Sequence, residues 1–444
     1  MKKEESKESN NYFPESTRTR KVFKNLILHI HPTQVRKLSL SLTHTWGLGG
    51  MVVILFLVQV FTGIVLRFVY EPSPEKAYNS ILIIQNQVFF GQFIRNMHHL
   101  SGMLMVVISF LHLLRVFFTE AYHPPRHWNW IIGVGLMLTV VLSNFSGYLL
   151  PWDQLSYWAV TVATSMLHYI PGIGEWLMKL IRGGDEVGSV TLLNFYNYHT
   201  SILPLIMVIL MGFHFWKVRK AGGVVVPGGP KNEDKEYVPT VPHLVARELV
   251  VALVLLAVIM LVSVFRDAPL LERANPALSP NPAKAPWYFL GIQELLMHFH
   301  PFFASFVMPI IFLTAIIWIP FTEFDNNEGG IWFVSKRGRK LCAQTAIITS
   351  IIIPILVLIN NFIPDIIKST SGLLSIIGNG LLPVLLILCA IVLWIYWMKK
   401  KSGFTKNEIF QAVFVFFVVS YLILMFISIW FRGEGMALMW PWKV

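Results

Sequence analysis

The sequence predicts an all-α integral membrane protein, and its composition and the length of its apolar runs support that fold class. Of its 444 residues, 55% are hydrophobic and only 14% are charged, whereas an ordinary soluble domain has about 25% charged residues. The apolar residues form separate runs of about twenty, the length that crosses about 30 Å of hydrocarbon as a helix. Nine such runs are predicted to be transmembrane helices, at 47–69, 91–118, 129–150, 195–217, 246–265, 302–321, 342–363, 379–398 and 408–431.

The formal net charge of +12 comes from basic clusters, and their distribution argues against a nucleic-acid partner. Lys and Arg are concentrated in residues 1–46, "KVRK" (217–220), "SKRGRK" (335–340) and "KKKSGFTK" (399–406). If the helices alternate in direction, these segments fall on one side, so the positive-inside rule predicts a cytoplasmic amino terminus. Residues 1–40 contain no apolar core of the kind found in a cleaved signal peptide.

One segment rich in Gly, Pro and charged residues divides the chain and is predicted to be a linker. We expect a basic cytoplasmic segment at 1–46, a four-helix bundle at 47–218, the linker at 219–242, three further helices in 243–363 and two more in 364–444.

Two long loops on the predicted outer side are functional candidates, because loops of this length without a role are uncommon. The first, 151–191, contains "SYWAVTVATSMLHYI" (156–170), which predicts a short interfacial helix. The second, 266–300, ends in "APWYFLGIQELLMHF".

Histidines inside the second apolar run share one helix face. His98 and His112 are fourteen residues apart, which places them within about 40° of each other and about 21 Å apart along the axis. His99 is about 140° out of phase with His112, so His98 is the better partner.

The fourth run repeats this arrangement with His199 and His214, fifteen apart, about 60° out of phase and about 22 Å apart in depth. Both helices run in the same direction, so His98 and His199 share an outer level and His112 and His214 an inner level. One membrane histidine alone is more often a satisfied polar residue. Four at matched depths instead predict two stacked b-type haems, each ligated by two imidazoles.

Glycines show a similar spacing in the first and third runs. Gly49 and Gly63, and Gly133 and Gly147, are each fourteen apart. A porphyrin edge between helices needs a backbone without side chains, although such glycines are also common at membrane helix contacts.

Basic residues flank the histidines at both levels. Arg95 precedes His98 by three residues and Arg115 follows His112 by three, while Arg219 and Lys220 follow the fourth run. These are candidates to bind haem propionates. The alternative is snorkelling to lipid headgroups, which is an equal possibility for Lys220.

Cys342 and Cys389 are the only cysteines, and their apolar context favours packing. Two such cysteines do not hold an iron–sulfur cluster, and no Cys-x-x-Cys-His motif is present. A cluster or c-type haem must therefore come from a partner.

Together with "GYLLPWDQLSYWAV" (147–160), these histidines and glycines make the first 220 residues resemble the dihaem cytochrome b of Rieske/cytochrome b complexes. The fifteen-residue histidine spacing, "HFWKVRKAGG" and "PWDQ" are similar to the chloroplast type and its bacterial relatives. Residues 243–363 resemble the three-helix companion subunit, here fused to the cytochrome. The last two helices match less clearly.

The resemblance implies a respiratory electron-transport enzyme, a quinol–cytochrome c reductase, in a bacterial-type energy-conserving membrane. Quinol would be oxidised at an outer site between the 151–170 loop and "APWYFLGIQEL". One electron would pass to a Rieske iron–sulfur protein and the other through two b haems to an inner quinone site, with proton translocation. It also implies a c-type cytochrome partner and a homodimeric complex.

The sequence departs from the family at the outer site. The family's Pro-Glu-Trp-Tyr motif reads Ala285-Pro286-Trp287-Tyr288 here, so its proton-accepting glutamate is replaced. Our candidate acceptor is Glu294, although it equally suits an ordinary interfacial residue.

Further site candidates follow from the same loops. Asp153 is the second choice as acceptor and His298 the third, while Trp287, Tyr288 and Tyr148 are expected at the quinol site. Gly47 stands where the chloroplast type has a cysteine, so a covalently attached extra haem is not expected.

Two other functions compete with this one. A dihaem anchor passing electrons between a dehydrogenase or hydrogenase and the quinone pool would need the histidines but not the "PWDQLSYWA" and "WYF" segments. A transporter with a histidine proton relay would contain no reducible b-type haem.

Overall fold

The computed structural model describes residues 31–228, 236–325, 329–361, 372–400 and 402–443. Within these ranges, nine helices are long and apolar enough to cross a membrane, which confirms the predicted all-α membrane fold. Most of the predicted basic amino-terminal segment and the middle of the predicted linker lie outside the described residues.

The described residues form fourteen α-helices, numbered here in chain order. They are α1 (Leu42–Thr45), α2 (Leu48–Arg67), α3 (Ala77–Asn86), α4 (Gly91–Phe118), α5 (His127–Tyr148), α6 (Gln154–Ser165), α7 (Gly174–Arg182), α8 (Ser189–Lys220), α9 (Thr240–Phe265), α10 (Leu290–Leu296), α11 (Phe303–Phe321), α12 (Lys336–Asn361), α13 (Leu373–Lys400) and α14 (Lys406–Trp430). The candidate spans are α2, α4, α5, α8, α9, α11, α12, α13 and α14.

Short elements connect these helices. Strands β1 (Gln34–Arg36) and β2 (Tyr237–Pro239) pair antiparallel, with Val35 opposite Val238. The pair joins the segment before α1 to the end of the predicted linker. Single 3-10 turns occur at Lys37–Leu40, Met166–Tyr169, Trp287–Phe289, Glu434–Met436 and Pro441–Lys443.

The first four spans form a bundle around a shared apolar core. Leu55 of α2, Met105 of α4, Val140 of α5 and Met207 of α8 are all buried in one cluster, with Ile259 of α9 beside them. Burying one apolar stripe of each helix against the others is how such a bundle is stabilised.

A second core joins this bundle to the carboxy-terminal spans. Phe117 of α4 packs on Phe414 of α14, with ring centroids 3.8 Å apart. Trp130 of α5 donates its indole N–H to the carbonyl of Ile316 in α11, at 2.8 Å. We call this end of the molecule the amino-terminal face, because β1 and α1 lie there.

The opposite end, which we call the loop face, carries both long loops. Asp153 caps α6 and forms an isolated β-bridge with Arg273. The first loop is helical in α6 and α7, and the second meets it at this bridge. The loop face therefore has a fixed structure built from distant parts of the sequence.

Candidate functional site

Two histidine pairs face each other across the bundle. The rings of His98 and His199 have centroids 6.0 Å apart with an interplanar angle of 77°. Those of His112 and His214 are 6.5 Å apart at 73°. The first pair lies towards the loop face and the second towards the amino-terminal face.

A π-turn explains why the two helices keep the same phase despite different spacings. His199 lies in the π-turn Tyr198–Ile202 of α8, where the Leu203 N–H bonds back to the Tyr198 carbonyl. A π-turn inserts one residue into the helical repeat. The fifteen-residue spacing from His199 to His214 thus comes close to the fourteen-residue spacing in α4, and the 60° offset inferred from an ideal helix shrinks.

The ring separations suit a single ion held between two imidazoles. An imidazole nitrogen lies about 1 Å from its ring centroid and binds a first-row metal at about 2 Å, so two imidazoles that share one ion have centroids about 6 Å apart. The observed separations of 6.0 and 6.5 Å match this geometry. His98 with His199, and His112 with His214, could therefore each hold one haem iron between their imidazole nitrogens.

The outer pair is oriented by hydrogen bonds on the far side of each ring. His98 Nδ1 lies 2.8 Å from Thr62 Oγ1, and His199 Nδ1 lies 2.9 Å from the Ser143 carbonyl oxygen. Metal-ligating histidines commonly use one nitrogen this way, which fixes the tautomer and leaves the other nitrogen for the metal. The surroundings of this pair therefore fit haem ligation.

Each predicted glycine lies against one of these histidine rings. A Cβ at Gly63 would lie 3.3 Å from His98 Cε1, and a Cβ at Gly147 only 2.5 Å from His199 Cε1. At the other level, Gly49 faces His112 at 3.4 Å and Gly133 faces His214 at 3.5 Å. Only Gly147 strictly needs to be glycine, because 2.5 Å is closer than carbon atoms pack.

Arg115 and Arg95, both predicted to bind haem propionates, differ in whether their N–H groups already have partners. Arg115 is buried, its Nε donates to the His44 carbonyl at 3.1 Å, and its Nη2 has no partner among the described residues. Arg95 donates to the Ala268 and Pro269 carbonyls at 2.7 and 2.6 Å. A buried guanidinium N–H without a partner is costly, so Arg115 is well suited to receive an anionic group.

At the end of α8, Lys220 lies over the indole of Trp216, with Nζ 4.9 Å from the ring centroid. Arg219 is also placed at this helix end. This position suits contact with either a propionate or a lipid headgroup.

The aromatic residues predicted for the quinol site come together at the loop face. Trp287 donates its indole N–H to Met103 Sδ at 3.1 Å. Tyr288 is 8% exposed, and its hydroxyl has no partner in the described part of the chain. Burial raises the pKa of Tyr288, and the nearby Tyr148 phenol raises it further, so the hydroxyl stays protonated and can donate to a ligand oxygen.

The first loop reaches the same region from its far end. The ring centroids of Tyr169 and His300 are 5.7 Å apart. The 151–170 and 285–300 segments are therefore neighbours, as the outer-site expectation requires.

Asp153 serves as a helix cap. Its Oδ1 accepts from the Ser156 backbone N–H at 2.9 Å and its Oδ2 from that of Leu271 at 3.1 Å. Because both carboxylate oxygens are used to hold backbone groups, the geometry disfavours Asp153 as a proton acceptor.

Glu294 is fully buried and paired with a residue far along the chain. Arg432 Nη2 lies 2.6 Å from Oε1 and Arg432 Nε 3.0 Å from Oε2. His298 Nε2 lies 3.1 Å from Oε1, and the His298 Nδ1 lies 3.1 Å from Asn360 Oδ1. Burial alone would raise the pKa of Glu294, but the hydrogen bonds from His298 and Arg432 together lower it. A carboxylate held in this way is a weak base, which disfavours Glu294 as the proton acceptor. Both ring nitrogens of His298 already have partners, which disfavours His298 in the same role.

The site also contains Thr62, Ser143 and Arg432, which were not predicted from the sequence. Thr62 and Ser143 are polar residues in apolar runs, and Thr62 directly precedes a predicted haem-facing glycine, which was a usable signal. Arg432 had no such signal, since its partner is 138 residues away.

At Gly47, a Cβ would lie 3.1 Å from Val251 Cγ1, and the residue has a φ of 64°. Both features favour glycine, because a side chain here would strain the backbone and crowd Val251 of α9.

Comparison with known proteins places the first half of the chain. The family model described as cytochrome b/b6/petB matches residues 34–222. Cytochrome b6 of Heliomicrobium gestii is 42% identical over 175 residues, covering 39% of this chain and 82% of the relative. Cytochrome b6 of Porphyra purpurea is also 42% identical, covering 39% and 81%.

A solved structure resembles most of the chain. A chain of a hyperthermophilic respiratory Complex III superposes with a TM-score of 0.64 at 24% sequence identity, covering 91% of this chain and 96% of that chain. At this identity the similarity concerns the fold, and it extends through the carboxy-terminal spans.

Proposed function

Since this chain belongs to the cytochrome b/b6 family, we propose that it is the dihaem cytochrome b of a quinol-oxidising Rieske/cytochrome b complex. The observation that supports this most strongly is the pair of facing histidines at each of two depths, on the same two helices. A single histidine pair would suit many haem proteins. Two stacked histidine pairs suit an electron path from one membrane face to the other.

His98 and His199 would hold one haem and His112 and His214 the other, both without covalent attachment. When bound, the two haems supply one-electron carriers at two depths in the membrane. Thr62 and the Ser143 carbonyl orient the outer rings. Arg115 would pair with an inner propionate through its unpartnered Nη2, and Arg95, Arg219 and Lys220 are the remaining candidates for such pairing.

Quinol would bind on the outer side, where Trp287, Tyr288 and Tyr148 meet. The Tyr288 hydroxyl is the polar group available there, and it can donate a hydrogen bond to a ligand oxygen. The buried aromatic surroundings exclude water, which strengthens such a bond.

The proposed reaction is quinol oxidation at this site. One electron leaves to a Rieske iron–sulfur protein and on to a c-type cytochrome, the other goes to an inner quinone, and protons are released outside. The amino terminus is then cytoplasmic, with the loop face outside, and the complex is a homodimer.

The fused organisation belongs to this proposal. Residues 47–218 form the cytochrome bundle, 243–363 correspond to the companion subunit, and 364–444 add two spans. The match of the fold over 91% of the chain supports one continuous cytochrome b unit.

Removing the Rieske partner tests the function directly. In membranes from a strain lacking the Rieske protein, quinol-dependent reduction of a c-type cytochrome should cease while both haems remain spectroscopically present. Unchanged quinol turnover in these membranes would instead favour a dihaem anchor of a dehydrogenase or hydrogenase.

A further inference from the structure

The last span, α14, and the turn that follows it contact an outer segment at the loop face, residues 281–294, at several independent points. Tyr421 of α14 donates its hydroxyl to the carbonyl of Tyr288. Lys284 Nζ donates to the Ile429 carbonyl at 3.0 Å. Both contacts hold the backbone that presents the Trp287-Tyr288 pair.

Packing reinforces these bonds. A Cβ at Gly291 would lie 2.6 Å from Tyr421 Cε2. Glycine therefore allows α10 to lie directly against the tyrosine ring, and any larger residue would push α10 away from α14.

The turn after α14 folds back towards the same segment. Arg432 forms an isolated β-bridge with Leu438, and its Nη1 donates to the Met436 carbonyl at 3.0 Å. The Gly435 N–H donates to Asn281 Oδ1. The turn is thus tied to both ends of the 281–294 segment, to Asn281 here and to Glu294 through Arg432.

The Arg432–Glu294 pair is the strongest of these contacts. The two side chains are 3% and 0% exposed, and Arg432 reaches both carboxylate oxygens. A paired arginine and carboxylate in this geometry fixes direction as well as distance. Removing one partner would leave an unpaired buried charge.

We propose that α14 and residues 431–439 position the quinol-contacting segment 281–294, with Arg432 acting as a positioning residue through Glu294. This rests on the proposed function and assigns a role to the last span. Glu294 here holds the segment in place.

The experiment uses the purified complex, with duroquinol as the probe and cytochrome c as acceptor. Arg432→Met should raise the KM for duroquinol about tenfold or more while both haems and their midpoint potentials are retained. Tyr421→Phe keeps the ring on Gly291 but loses the hydroxyl bond, so its KM should rise about two- to tenfold. A purely structural role would lower haem content or complex yield and leave KM unchanged.

Two controls lie on the neighbouring carboxy-terminal helices α12 and α13, at the amino-terminal face. Arg337→Met removes an arginine that donates to the Gly403 carbonyl, and Tyr396→Phe removes a hydroxyl bonded by Lys400. Both should leave KM within twofold. The double variant Glu294→Gln with Arg432→Met should recover part of the single-variant loss, because neither charge is then left unpaired.

An unchanged KM in Arg432→Met and Tyr421→Phe, in a complex whose wild type oxidises duroquinol, would overturn this inference and leave the proposed function standing. If Arg432→Met does not assemble, Tyr421→Phe decides alone by the same criterion. A wild-type complex with both haems that oxidises no duroquinol would contradict the proposed function itself.

Discussion

Helices α4 and α8, and helix α10 with the turn that follows α14, both bring polar side chains together inside the protein, but by different means. In the first pair, histidines repeat along each helix at nearly equal intervals, so each helix carries half of two equivalent sites. In the second, a single glutamate meets a single arginine 138 residues later. The first arrangement follows from helical geometry, whereas the second depends on how the last span folds back.

The largest expected effect is the loss of one haem at a time. His98→Ala or His199→Ala should remove the outer haem, and His112→Ala or His214→Ala the inner one, since each variant deletes one of the two imidazoles that would hold that haem. Reduced-minus-oxidised difference spectra and haem extraction would measure this.

The neighbouring histidine provides the matched control. His99→Ala should retain both haems, because His99 faces away from His112 on the helix. Loss of a haem in this variant would show that the helix register is misassigned.

A smaller but substantial loss is expected from Gly147→Ala. The added Cβ would lie 2.5 Å from His199 Cε1, so the ring must leave its position and the outer haem content should fall severalfold. Haem per chain in the purified complex measures this. Gly212→Ala in α8, where a Cβ meets nothing within 4 Å, should leave the haem content unchanged. Equal losses of haem in the Gly147 and Gly212 variants would contradict the steric explanation.

Removing the hydrogen bond that orients a ligand histidine should have a smaller effect on haem binding. Thr62→Val deletes the hydroxyl at 2.8 Å from His98 Nδ1 and should weaken outer haem binding by about 10- to 100-fold. Transfer of haem to apomyoglobin would measure it. Thr200→Val is the control, because the Thr200 hydroxyl bonds the Tyr196 carbonyl in the same helix and the neighbouring Ser201 hydroxyl, not a histidine ring. Equal transfer rates would refute the role of Thr62.

The smallest predicted effect concerns the junction of the two regions at the amino-terminal face. Asn407 of α14 donates its side-chain amide to both carboxylate oxygens of Glu120, at 3.0 and 3.1 Å. Asn407→Leu should lower the free energy of unfolding by about 1–3 kcal/mol, because a buried carboxylate loses two of its hydrogen bonds and keeps only the longer one from Gln411 Nε2 among the described residues.

Thermal unfolding of the complex checks this prediction. Asn379→Leu is the comparison, since among the described residues that amide bonds only the Ser375 hydroxyl one turn away, at 3.4 Å. Equal stability of the Asn407 variant and the wild type would mean that the junction adds nothing.

Much of the bundle could be predicted from the sequence because it depends on local periodicity. Twenty-residue apolar runs define the spans, and fourteen-residue spacing selects His98 over His99. Even there, the π-turn at His199 was not predictable, since its one-residue insertion leaves no distinct mark among apolar residues.

The side-chain contacts of the outer segment were harder to predict from the sequence, and the reason is physical. Glu294 in "GIQELL" has the same local pattern whether it accepts a proton or pairs with an arginine, and only the tertiary fold supplies Arg432. Asp153 followed by Ser156 is a pattern from which a helix cap can be predicted. The bond from the Leu271 backbone N–H to Asp153 could not be predicted, because that contact joins two separate loops.

The proposed function depends most directly on two haems, each held by a histidine pair of this one chain. The decisive measurement is the haem content per chain of the purified protein, together with low-temperature electron paramagnetic resonance of the oxidised form. We predict two non-covalent b-type haems per chain, both low-spin as expected for two imidazole ligands, with His98→Ala abolishing only one of the two signals. A single haem, or none, would contradict the two-level site.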